Sequence, residues 1–271
     1  MAMTASVRRI GEEQKLAIVV EQLTLRRGKV EVLRDLSLSF RECSVTAVVG
    51  PSGVGKTTLV SAINGLLLPE KGRIAVSGIG ALDNPAALKA ARHRIATIFQ
   101  DHALIGRLSA IDNVLLGLAD MRHPLSPLPW PGELRLRAAE ALEQVGLLDK
   151  AAVRADQLSG GERQRVGIAR ALIRKPVILL GDEPFASVDP VLAQRLAENF
   201  KSLITKHGIT VILVLHQLQM ARALADRIVG LSGGRIAFDG PAAEFDADAE
   251  ARIFSPAQKA GSRAFQPQEE M

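Results

Sequence analysis

The sequence predicts an α/β fold: a largely parallel sheet covered by helices and interrupted by a mostly helical insertion. Three observations carry this reading. Short apolar, β-branched runs alternate with helix-compatible segments after residue 157, the pattern of strands joined through covering helices. One earlier run, at 45–49, leads into a glycine-rich loop and then a helix-compatible stretch containing Leu59, Val60, Ala62 and Ile63. Between 101 and 158 the strand signal disappears and helical spacing takes over.

Taken in order, 17–25 opens on Ile18, Val19 and Val20 and closes on Leu23, Thr24 and Leu25, which makes it a strand. A second strand at 33–40 puts Leu36, Leu38 and Phe40 on one side, after the turn Arg26-Arg27-Gly28-Lys29. A short strand at 72–76 follows the turn Pro69-Glu70-Lys71-Gly72. The Ala-, Lys- and Arg-rich stretch 85–94 is a helix, followed by a buried strand at 95–99 that ends at Gln100. In the insertion, Ile111, Val114, Leu115 and Leu118 give 109–118 helical spacing; Leu134, Ala138, Ala141, Leu142 and Val145 do so for 133–145. Between these two helices Pro124, Pro127, Pro129 and Pro131, with Trp130, make a stiff extended loop. The core resumes near Gln157, with strands at 177–180, 210–215 and 227–231 alternating with helices at 192–206 and 219–225. Past Gly240 the chain turns polar and rich in Pro and Gln, as expected of a peripheral tail with frayed last residues.

The glycine-rich loop carries the first chemistry. Gly50-Pro51-Ser52-Gly53-Val54-Gly55-Lys56-Thr57 fits G-x-x-x-x-G-K-T, and it sits between a strand and a helix as phosphate binding requires. Gly53 and Gly55 let the backbone turn its N–H groups inward, while the new helix, with Thr58 in its first turn, points its positive end at the anion. Lys56 is placed to reach the β- and γ-phosphates of a nucleoside triphosphate, and the Thr57 hydroxyl to ligate Mg²⁺. An ordinary Gly-rich turn would need neither residue.

A second constellation lies downstream. Val177-Ile178-Leu179-Leu180-Gly181-Asp182-Glu183 is an apolar strand ending in two acids, and ligands of open α/β sheets sit outside the carboxyl ends of strands. Asp182 is thus positioned to hold Mg²⁺, directly or through water, and Glu183 to polarise the water that attacks the γ-phosphate. In Leu158-Ser159-Gly160-Gly161-Glu162-Arg163-Gln164, Ser159 and Glu162 form a capping box opening a helix that Pro176 ends. A cap does not need Gly160 and Gly161, which weaken a first turn but let an anion approach bare N–H groups.

Composition narrows the alternatives. At 47% hydrophobic and 23% charged residues the chain has the balance of a globular protein with a sizeable core. No apolar run approaches the ~18–20 residues of a bilayer span. The net charge of +5 permits contact with nucleic acid, but the basic residues are dispersed, aromatics are 3% and tyrosine is absent. That argues against a base-stacking platform. The single cysteine, Cys43, cannot form an internal disulfide and suits a reducing compartment.

Leu158–Gln164, lying between a phosphate loop and a strand ending in Asp-Glu, resembles the signature sequence of the ABC ATPases; the resemblance covers roughly 17–240. It implies a RecA-like core with an antiparallel β subdomain (17–100 and 157–240), an α-helical subdomain at 101–158 and a C-terminal extension at 241–271. It further implies ATP and Mg²⁺ as cofactors. Gln100 matches the Q-loop glutamine that touches Mg²⁺ and water. Ser187-Val188-Asp189 matches the D-loop, with Asp189 beside the nucleotide, and His216 matches the switch histidine at the γ-phosphate. In the family, two chains sandwich two nucleotides head to tail, so Ser159, Gly160 and Gly161 would act on the partner's ATP. One position departs from the pattern. Where the family usually has an aromatic residue stacking on adenine, this chain has Arg27, which either stacks its guanidinium on the base or faces solvent.

Softer motifs, among them Arg107–Leu115, the loop 122–131, Leu215-His216-Gln217, 221–231 and Phe238-Asp239-Gly240-Pro241, look most like the ATPase of phosphonate importers. The implied protein is a homodimer at the cytoplasmic face of the inner membrane, peripheral to two permease subunits and served indirectly by a periplasmic solute-binding protein, with no nucleic acid. Amino-acid or metal importers are the alternatives within the class. A non-transport ABC ATPase acting on nucleic acid or ribosomes would be expected to carry a coiled-coil insertion or a second nucleotide domain.

Overall fold

The computed structural model describes residues 15–99, 103–121, 129–186, 198 and 208–254. The first two strands, β1 (Leu16–Arg27) and β2 (Val30–Arg41), form an antiparallel hairpin, and β3 (Val45–Val49) leads into α1 (Lys56–Ile63). Next come β4 (Lys71–Val76), β5 (Gly80–Ala81), α2 (Pro85–Arg94) and β6 (Ile95–Ile98). Asn84 caps α2 by accepting the Ala87 N–H, and Pro85 sits where its missing N–H costs nothing. Helices α3 (Ala110–Leu115), α4 (Gly132–Gln144) and α5 (Gly160–Leu172) precede β7 (Ile178–Asp182) and β8 (Thr210–Val214). The described chain ends with α6 (Leu218–Leu224), β9 (Arg227–Ser232), β10 (Arg235–Pro241) and α7 (Ala247–Phe254).

Two sheets result. One is antiparallel, ordered β2-β1-β4-β5; the other has six strands, ordered β10-β9-β3-β8-β7-β6, and only β10 runs antiparallel to its neighbour. The central strands β3, β7 and β8 of the six-stranded sheet are buried on both faces, so they read as continuous apolar runs. Alternation along each strand splits the interior in two. Val48, Leu180, Ile212, Val214 and Val229 join the antiparallel sheet and α1 in one core. Ala47, Val49, Leu179, Val211, Leu213 and Ile228 join the helices in the other. Helix α5 packs on α3 and α4 and also touches β6, so it bridges the insertion and the sheet. Asn113, fully buried, ties the loop before α3 together: its side chain accepts from Ile105 N–H at 2.8 Å and donates to Ile105 O at 3.1 Å and Ser109 O at 3.0 Å.

The segment past residue 240 differs from the peripheral tail expected of it. Asp246 accepts the Ala249 N–H at 2.8 Å at the start of α7, and Phe245, Ala249 and Ile253, spaced by four, are buried against the sheet. Gly230 makes room for that helix, because a Cβ there would lie 2.1 Å from Ile253 Cδ1. Only 255–271 of the tail lies outside the described residues, as does the helix expected at 192–206 apart from Glu198.

Candidate functional site

Parallel pairing of β3 with β8, and of β8 with β7, brings their carboxyl ends side by side. The loop 50–55 leaves β3 there. Gly50 has φ 152°, and a Cβ on it would meet Leu231 O at 2.5 Å; Gly55, at φ 113°, would press a Cβ to 2.6 Å from Leu33 Cδ2. Neither position admits a side chain. No side chain caps α1 and no acid lies in its first turn, which leaves its leading N–H groups for a ligand. Lys56, only 5% exposed, folds back over the loop, its Nζ donating to Gly50 O at 2.8 Å and Pro51 O at 2.9 Å. Burial holds its pKa below the ordinary lysine range, against the opposing pull of Glu183 and Asp182.

Asp182 ends β7 and is 4% exposed. Burial raises its pKa, opposed by a hydrogen bond from the Thr57 hydroxyl; Glu183 adds to the rise, and Lys56 and His216 counter it. Its Oδ1 is buried without a hydrogen-bond partner. An unsatisfied buried carboxylate oxygen beside a hydroxyl is a fitting donor pair for a divalent cation completed by phosphate oxygens. Glu183, next in the chain, turns its Oε1 to His216 Nε2, and the two side chains are hydrogen-bonded. Together with Arg27, Val32, Ser52, Gly53, Gly55, Lys56, Thr57 and Thr58, these two residues line a cleft of about 550 Å³. Arg27, an exposed residue at the end of β1, stands at this cleft beside Val32.

The start of α5 is built as the sequence suggested. Ser159 Oγ accepts the Glu162 N–H at 3.3 Å, while Glu162 accepts the Ser159 N–H at 2.8 Å. Lys150 pairs with the same carboxylate and is the largest cause, ahead of the Ser159 N–H, of its pKa falling to about 2. The Ser159 side chain also hydrogen-bonds the Glu162 carboxylate, so within one chain its hydroxyl is engaged in the capping box. Ser159 is exposed, and Gly160 and Gly161 are half-buried. The lining of the cleft comes from other residues, so one chain presents the two halves of the expected site separately. Gln100, Ser187, Val188, Asp189 and residues 122–128 of the Pro-rich loop lie outside the described residues. Sequence reasoning passed over Gln164, a buried residue of α5 bonded to the main chain of Glu183; its signal was a polar residue on a stripe otherwise formed by Gly167, Ile168 and Ala171.

The chain is similar to known proteins over most of its length. A family model described as ABC transporter matches residues 33–186. The phosphonates import ATP-binding protein PhnC 2 of Rhodopseudomonas palustris is 67% identical over 248 residues, 92% of this chain and 87% of that protein. The phosphite import ATP-binding protein PxtA of Stutzerimonas stutzeri is 45% identical over 230 residues, 84% of this chain and 83% of that protein. Among solved structures, a dimeric ATP-binding cassette in a post-hydrolysis state, bound to ADP and Pi, superposes with a TM-score of 0.75 at 31% identity, covering 83% of this chain and 98% of that one.

Proposed function

The chain belongs to the ABC transporter ATP-binding family, and from that premise we propose that it is the ATP-hydrolysing subunit of an importer for phosphonate or a related phosphorus oxyanion. The observation that carries the enzymatic part is the convergence of Lys56, Glu183 and His216 on one cleft at the strand ends, with Asp182 hydrogen-bonded to Thr57 behind it. The solute is inferred from the functions for which its relatives are named.

In this reading the loop N–H groups and Lys56 bind the β- and γ-phosphates, and Arg27 lies against the base. Thr57 and Asp182, with Gln100, would hold Mg²⁺, which supplies positive charge for the phosphate oxygens during transfer. Glu183 accepts the proton of the attacking water, and His216 fixes the direction of its carboxylate. The protein's contribution is positioning and charge stabilisation, since phosphoryl transfer asks little covalent chemistry of it. Ser159, Gly160 and Gly161 reach the γ-phosphate of the partner's nucleotide, so ATP joins two chains and hydrolysis releases them; Asp189 borders the same nucleotide. The dimeric cassette among its structural relatives and the exposure of Ser159 support this arrangement.

Coupling to two permease subunits would run through a groove of about 360 Å³ between β6 and α5. Exposed Leu66 and Phe99 offer it apolar contacts and exposed Arg92 offers positive charge, while Arg174 is paired with Asp120. No helix among the described residues is long and apolar enough to cross a membrane; in this reading the chain is a peripheral subunit at the cytoplasmic face. A periplasmic solute-binding protein would act on the far side. Glu183→Gln tests the reading: the variant should bind ATP, lose turnover and remain dimeric in ATP. Hydrolysis at the native rate would refute Glu183 as the base.

A further inference from the structure

Gln164 lies on the sheet-facing side of α5 and is 2% exposed. Its Nε2–H donates to the main-chain carbonyl of Glu183 at 2.9 Å. The Glu183 N–H in turn donates to Val214 O of β8 at 3.1 Å. Between these two anchors Glu183 has φ 54°, a left-handed conformation that a non-glycine residue keeps only where its surroundings impose it. The backbone of Glu183 decides where its carboxylate points, and that carboxylate meets His216. A helix bearing two anion-approachable glycines at its start is thus hydrogen-bonded, five residues on, to the main chain of the cleft's carboxylate.

We propose that Gln164 is a positioning residue that ties Glu183 to the signature helix of its own chain. Occupation of the Ser159–Gly161 end by the partner's nucleotide is thereby felt at the base serving this chain's nucleotide. The proposal rests on the reading of Glu183 as base and of Ser159 acting in trans. From Ser159 to Gln164 the helix rises about 7–8 Å at ~1.5 Å per residue. The capping box and the Lys150–Glu162 pair stiffen its first turn. A small shift at its start is therefore carried along the helix to the amide of Gln164, and from there to the Glu183 carbonyl.

The test compares Gln164→Met and Gln164→Leu in the full chain, by steady-state MgATP hydrolysis. Both remove the donor and leave an apolar side chain of nearly the same length in its place. Each should lower kcat about tenfold with KM for MgATP within about twofold of native, the signature of an interaction made for the reaction step. The Hill coefficient for ATP should fall toward one as the two sites lose communication. To separate positioning from folding, Gln164→Met is combined with Glu183→Gln, and ATP-dependent dimerisation should then match that of Glu183→Gln alone. Native kcat in both single variants would overturn the proposal, and so would loss of the ATP-bound dimer in the double variant, which would make Gln164 a folding residue. A fall in kcat with an unchanged Hill coefficient would overturn the link between the two sites. Native turnover by Glu183→Gln alone is a different failure, that of the base assignment.

Discussion

Replacing Lys56 by methionine separates what the ammonium does for the fold from what it does for the nucleotide. In the described structure Nζ makes two bonds to loop carbonyls, Gly50 O at 2.8 Å and Pro51 O at 2.9 Å, from a side chain 5% exposed. Two charge-assisted bonds contribute roughly 3–6 kcal/mol. Against this stands the desolvation of a buried ammonium, also several kcal/mol, which methionine removes along with the bonds while leaving the loop carbonyls without that donor. The net change in stability should stay within about 1–2 kcal/mol, a shift in Tm of roughly 2–8 °C for a domain of this size. Catalysis has no such cancellation. Losing the cation aimed at the transferring phosphate should raise the barrier by roughly 3–4 kcal/mol, on the order of 10²–10³ in rate. Thermal melts without nucleotide and single-turnover ATP hydrolysis read the two effects separately. A variant that turns over within about tenfold of native would refute the role given to Lys56. One that fails to fold would refute the cancellation.

Two further outcomes follow from the same bonds. Glu162 is held ionised by Lys150 and the Ser159 N–H, its pKa falling from 4.5 to about 2. Because the folded-state pKa is the lower one, this stabilisation is complete above pH 4.5 and fades as pH falls toward about 2. Glu162→Gln should cost about 1–2 kcal/mol at pH 7 once solvent screening is allowed for. Denaturant melts across that pH window should show the gap closing with acid, and a constant gap would contradict the assignment. Ile253→Ala should cost about 2–4 kcal/mol in chemical denaturation, a loss bounded by the free energy of detaching α7. A loss below about 0.5 kcal/mol would mark that helix as peripheral after all.

How much of this was legible in the sequence depended on whether a signal was local. The phosphate loop, the capping box and the acidic strand end are short patterns whose chemistry is fixed by neighbours in the chain, and the structure places 50–58, 182, 183 and 216 together. Helix α2 matched its expected bounds, since Asn84 and Pro85 mark its start and the strand Ile95–Ile98 its end. Strand β10 was missed although Gly233 and Gly234, both at positive φ, form the kind of two-residue turn that joins antiparallel strands. The burial of α7 was missed for another reason: its apolar face of Phe245, Ala249 and Ile253 is sparse, and acids between those residues give the segment a polar composition. Its docking depends on Gly230, far away in sequence, leaving room for Ile253. The stripe position of Gln164 was a local signal, but its bond was not, because the partner is a main-chain carbonyl nineteen residues away.

The most direct test of the central claim is a mixed dimer in which one chain carries Ser159→Arg and the other is native. Photo-crosslinking a nucleotide analogue to each chain of a size-tagged pair reports which chain's loop holds hydrolysed nucleotide. The nucleotide held by the native chain's loop should be hydrolysed on the order of 10²–10³ more slowly, the larger of the two losses. Damage confined to the nucleotide held by the variant's own loop would contradict the account.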